Sequence, residues 1–126
     1  MSIRQEANKL RKYYESLPEW YWKRGIHDAK ITMIYEDFEK GRKFLDIHIN
    51  AAGAIFEQDI TKIRLYDHKI ISPDNIGVLD GGFWLSDSIE TLDSGRYLLK
   101  AVISCNDDKD HITLEVRFSD PLVERK

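Results

Sequence analysis

The sequence predicts an α+β domain: one N-terminal helix packed on a curled antiparallel sheet of about six strands. Three observations carry that expectation. Residues 111–118 read His-Ile-Thr-Leu-Glu-Val-Arg-Phe, so Ile112, Leu114, Val116 and Phe118 share one side of an extended chain and His111, Thr113, Glu115 and Arg117 the other. Such alternation means a sheet with one dry and one wet face, as antiparallel sheets allow. Next, Ile3, Ala7, Leu10, Tyr14 and Leu17 recur at steps of four and three, a single helical stripe. Finally, 126 residues suffice for one domain with its own core and are too few for two comfortable ones.

The helix is predicted over residues 2–16. Ser2 and Gln5 have capping-box spacing, and Pro18 closes the helix because the residue before proline leaves helical geometry. The segment Pro18–Trp22 follows, with Trp20, Tyr21 and Trp22 in a row. A plug at the corner between helix and sheet is the preferred reading, and a binding anchor is the alternative, since buried Trp and Tyr dominate interface energies. The sheet is then expected over residues 26–118. Ile31, Met33 and Tyr35 alternate, a charged loop ends at Gly41, and Leu45, Ile47 and Ile49 alternate against Asp46, His48 and Asn50, which gives strand, loop, strand. Gly53, in the small-residue segment Ala51–Ala54, marks a turn or a bulge, and a third strand is expected over residues 59–66.

Turn residues cluster at Ser72–Asn75 and Asp80–Gly82, and Phe83-Trp84-Leu85 reads as a short strand or a second plug. Residues 97–105 and 111–118 flank the polar loop 106–110 and should pair as a hairpin. Pro121 is expected to stop the sheet, leaving 119–126 as a frayed tail. The whole chain, 1–126, reads as a single domain.

Charge and cysteine content exclude several function classes. The net charge is -3, with 19 basic and 22 acidic residues interleaved, so no basic stripe suits a phosphate backbone and nucleic acid is not an expected partner. No stretch approaches the ~20 apolar residues of a membrane span, and a cytoplasmic location is expected. Cys105 is the only cysteine and lies in an apolar run, where burial is the ordinary outcome.

Each histidine has an aspartate close in sequence, at His27-Asp28, Asp46-Ile-His48, Asp67-His68 and Asp110-His111. A carboxylate beside an imidazole orients it and raises its basicity. Asp46 and His48 are the strongest pair, because i and i+2 on a strand face the same way, whereas adjacent residues diverge. Asp28 is read as a tie for turn amides. Arg64 and Arg117 could meet Asp46 or Glu115 across the wet face as cross-strand ion pairs. Neither a phosphate-cradling glycine loop, a dinucleotide fingerprint nor a nucleophile elbow is present, so no catalytic residue, metal or cofactor is assigned.

The order of helix, aromatic cluster and Ile26-His27-Asp28-Ala29 resembles small uncharacterised proteins of low-GC Gram-positive bacteria, in which a His-Asp-Ala or His-Asp-Ser element opens the first strand. Gly53 corresponds to the glycine those proteins carry between the second and third strands, whereas the loop 70–79 has no counterpart in them. Some such proteins sit beside polymorphic toxins as immunity proteins, so the resemblance implies a toxin-binding role and brings no catalytic residues. The expected function is therefore a non-enzymatic protein-binding module, immunity-like in kind, with Trp20, Trp22, Trp84, Asp46 and His48 as candidate binding residues. A metal-dependent hydrolase using Asp46, His48 and His27 is the alternative from a different class. A homo-oligomeric module pairing through sheet edges is the third.

Overall fold

The computed structural model describes residues 3–5, 9, 17–22, 25–105 and 109–126. Eight strands form one antiparallel sheet: β1 (Lys30–Glu39), β2 (Arg42–Asn50), β3 (Ile60–Tyr66), β4 (Lys69–Ser72), β5 (Phe83–Thr91), β6 (Tyr97–Cys105), β7 (Asp110–Phe118) and β8 (Asp120–Arg125). Their spatial order is β4-β7-β6-β5-β1-β2-β3-β8. This corrects the α+β expectation of a helix laid on about six strands: the described residues are nearly all antiparallel sheet, with eight strands. Residues 3–5 and 9 are helical, and the rest of the expected helix 2–16 lies outside the described residues. Ile3, the first residue of the expected stripe, is 87% exposed.

The sheet covers its dry face with itself. Only Asp67-His68 separates β3 from β4, and only Ser119 separates β7 from β8. The pairs Ile63–Val123 and Tyr66–Asp120 on one side of this corner continue as Lys69–Arg117 and Ile70–Val116 on the other, with no change of register. Two long bent strands thus run side by side, and the nominal ends of the sheet, β4 and β8, are joined through them. The sheet is a barrel-like coil. Asp67 takes a positive φ of 54° at the bend, where its N–H bonds Lys43 O and Ser119 N–H bonds Tyr66 O.

The seam of the coil lies between β1 and β5, whose ladder holds the single pair Lys30–Phe83. Four backbone bonds reinforce it, from Asp28 and Ile31 to Trp84 and Gly82 carbonyls and from Gly81 and Trp84 to Ile31 and Ala29 carbonyls. Both flanking strands are bulged here, at Ile31/Met33 and at Trp84/Ser86. A bulge bends its strand and sharpens its twist, so paired bulges splay the two strands beyond the seam. Gly82 is required by close approach: a Cβ there would lie 2.6 Å from Ile103 Cγ2. At the other tight turn, Lys40 and Gly41 both have positive φ (52° and 79°), the two-residue hairpin geometry matched to strand twist.

The core is one cluster inside the coil. Leu45 and Ile47 of β2, Ile63 and Leu65 of β3, Leu99, Ala101 and Ile103 of β6, and Leu114, Val116 and Phe118 of β7 are fully buried. Trp20, Tyr21 and Trp22 lie against this core. Trp20 meets Tyr97 and Phe118 edge-on at 5.3 and 5.7 Å, and Trp22 meets Trp84 at 5.9 Å. Cys105 is buried, and that burial pushes its thiol pKa up.

Three further expectations are corrected. Pro121 does not end the sheet, because β8 is bonded on one side only and an edge strand tolerates a residue without N–H. Phe83-Trp84-Leu85 opens a strand of nine residues. The β1 bulge breaks the Ile31, Met33, Tyr35 series: Ile31 and Ile34 turn inward, and Met33 is half exposed on the outer face.

Candidate functional site

The outer face of β1-β2-β3-β8 carries the site. Cross-strand partners share a face, so the register defines three rows of four side chains. These are Met33–His48–Lys62–Glu124, Tyr35–Asp46–Arg64–Leu122 and Asp37–Phe44–Tyr66–Asp120. Leu45 and Ile47 point inward, and period-two alternation therefore turns Phe44, Asp46 and His48 outward.

Asp46 is the centre, fully buried although it lies on the polar face. Arg64 holds it with two bonds, Nε to Oδ1 at 2.7 Å and Nη2 to Oδ2 at 2.8 Å. The Tyr35 hydroxyl donates to Oδ2 at 3.1 Å, and His48 Nε2 lies 3.4 Å from that hydroxyl and 4.0 Å from Oδ2. The rings of Tyr35 and His48 stack at 5.6 Å. Arg64 also bonds Glu39 at 2.8 Å, and its guanidinium lies 3.8 Å from the centroid of the Phe44 ring, which it covers.

Burial pushes the Asp46 carboxyl up, but the bonds from Arg64 and Tyr35 outweigh that cost, and its pKa lies below the usual carboxylate value. The bond to Asp46 in turn raises the Tyr35 phenol. The network is closed: both Asp46 oxygens are taken and the positive charge beside them is permanent. A metal ion at Asp46 would meet a guanidinium in place of an open coordination site. Among the described residues no group of three or more His, Cys, Asp or Glu side chains is placed to hold an ion.

The rim of the face is ionic and apolar. Lys62 reaches Glu124 at 3.2 Å, and Arg42 reaches Asp67 at 2.5 Å and Asp120 at 2.6 Å. Arg42, followed by Ser119, lowers the Asp67 carboxyl to a pKa of about 2. Met33 (50%) and Leu122 (42%) lie at opposite margins as exposed apolar side chains.

The sequence candidates divide between two places. Asp46 and His48 meet on this face. Trp22 and Trp84 are buried at 1% and 0%, and Trp20 is half-buried against Tyr97 and Phe118, so these three line the core plug. There Asp87 Oδ2 accepts the Trp22 indole N–H, with the Tyr21 hydroxyl and the Trp84 indole also facing the carboxyl. Arg64 meets Asp46 as an ion pair, whereas Glu115 is taken by Lys100 at 3.5 Å. Asp67 and His68 diverge, His68 lying buried 2.6 Å from Glu36. His27 stands apart, with Nδ1 2.5 Å from Leu85 O and Nε2 3.5 Å from Asp28. Tyr35 and Asp87 were not singled out by the sequence reading; a Tyr directly opposite an Asp in the β1-β2 register would have signalled the first.

The chain matches no family model, no curated protein and no solved structure. Among the described residues no helix is long and apolar enough to cross a membrane.

Proposed function

We propose that the protein is a non-enzymatic protein-binding module and that the outer face of β1-β2-β3-β8 is its contact surface. One observation carries this reading: the Asp46–Arg64–Tyr35–His48 network satisfies its own charges and leaves no reactive group, while it holds Tyr, Arg and His surfaces rigid between Met33 and Leu122. Tyr and Arg are the residue types that dominate interface hot spots, and side chains ordered in advance lose less entropy on binding. The specific form of the proposal is an immunity-like inhibitor acting in the cytoplasm and masking a basic toxin surface, for which a net charge of -3 is suited.

The test uses charge placed at the two apolar margins. Met33→Lys with Leu122→Lys alters exposed side chains, so folding should persist, and it sets positive charge against a basic partner. Affinity capture from the source cell with wild type, with this variant and with Ile55→Lys as a control should show one partner kept by the first and third and lost by the second. Equal capture by all three, or no retained partner, contradicts the proposal. A toxin-like reading frame adjacent to the gene would support the immunity form.

A further inference from the structure

The opposite half of the sheet carries three cations, Lys69, Arg96 and Arg117, that form no salt bridge with an acidic side chain among the described residues, although Asp67 lies near enough to Arg96 to attract it. Lys69 of β4 and Arg117 of β7 are direct cross-strand partners, and both are exposed. Like charges directly opposite one another destabilise a sheet. Arg96 joins them just before β6; its Nη2 donates to Asp67 O at 2.9 Å, while its Nε is buried with no partner among the described residues. Together with Leu92, Asp93 and Ser94 of the β5–β6 turn, these side chains line an open cavity of about 520 Å³. Among the described residues Asp93 is the only acid lining it. The nearby Asp67 carboxylate is already engaged by Arg42 and Ser119.

We infer that this cavity binds the phosphate group of a small phosphomonoester. The Arg117 guanidinium, the Lys69 ammonium and the part of the Arg96 guanidinium not bonded to Asp67 line one space, a donor set that phosphate oxygens match. A dianion also neutralises the Lys69–Arg117 pair, which otherwise opposes folding. The cavity falls in the size range of small-ligand sites, so it has room for more than the phosphate, and Leu92 offers an apolar wall to the remainder. The inference is independent of the β1-β2-β3-β8 face, which shares none of these residues.

Calorimetric titration of the full chain with phenyl phosphate, inorganic phosphate and benzoate at fixed ionic strength tests it, beside Lys69→Gln and Arg117→Gln. The expected result is saturable binding of phenyl phosphate, weakened about tenfold or more by either variant, the loss of one charge-assisted contact. The ligand-free variants should melt at or above the wild-type temperature, because each removes a repulsion. Tighter binding of phenyl phosphate than of inorganic phosphate supports an ester, and equal binding supports free phosphate as the source. Benzoate binding as tightly as either, unchanged affinity in the variants, lower melting of the ligand-free variants, or no saturation at millimolar phosphate would each overturn it.

Discussion

Two aspartates, Asp46 and Asp87, are withdrawn from water on opposite sides of the same sheet wall, and their carboxyls respond in opposite directions. Asp46 faces outward under Arg64 and ionises more readily than a free carboxyl. Asp87 points toward the aromatic plug; burial raises its pKa, and the Trp22 N–H bond, with the Tyr21 hydroxyl and Trp84 indole facing the carboxyl, only partly offsets that. The difference is the charge of the partners. A bidentate guanidinium repays desolvation, whereas neutral N–H and O–H dipoles supply only part of it. Burial alone therefore says little about a carboxylate's state.

Removing the matched charge should have the largest effect. Arg64→Met leaves Asp46 buried and unpaired, and chemical denaturation should show a loss of about 3 kcal/mol. The double variant Arg64→Met/Asp46→Asn should recover part of that loss, because no charge is then stranded. Next comes Trp22→Phe, which keeps an aromatic ring but deletes the donor to Asp87 and leaves part of the indole's buried space empty; a loss of about 2 kcal/mol is expected near neutral pH and a smaller one in acid, where Asp87 is protonated and the lost donor matters less. Tyr35→Phe removes one neutral donor from an already paired carboxylate, so about 1 kcal/mol is expected by the same measurement.

The smallest effect separates the two sites by its sign. The lowered Asp46 contributes stability above the unfolded carboxyl range, lost as pH falls through its folded value. The raised Asp87 does the reverse: the folded state holds a proton that the unfolded state has released, so stability falls as pH rises through that interval. Asp87→Asn should therefore gain on wild type as pH climbs from acid toward neutral, and urea melts at several pH values would show the crossing trend.

The sequence made the β1-β2 hairpin, β3 and the β6-β7 hairpin legible, because Leu45, Ile47 and Ile49 and then Leu114, Val116 and Phe118 alternate without interruption. The i, i+2 spacing of Asp46 and His48 placed them correctly on one face, and the cross-strand ion pair with Arg64 followed from the same logic. What escaped has physical causes. A bulge is invisible in composition, so Met33 and Tyr35 read as core when the extra residue turns them outward. Pro121 reads as a breaker unless the strand is known to be an edge, which only the topology decides. β4, four residues long, is too short for a periodic signal and exists because it continues β3 around the corner. The coil itself depends on non-local register, and without it a helix was the only visible cover for the dry face.

Side-chain carboxyl carbon NMR, following the titration of Asp46 and Asp87 in the same sample, tests the central claim most directly. A closed, charge-matched network on the β1-β2-β3-β8 face requires Asp46 to titrate below the free-carboxyl range while Asp87 titrates above it. An Asp46 signal at or above the free value, or one moving together with His48, would contradict the account and reopen that face to acid-base chemistry.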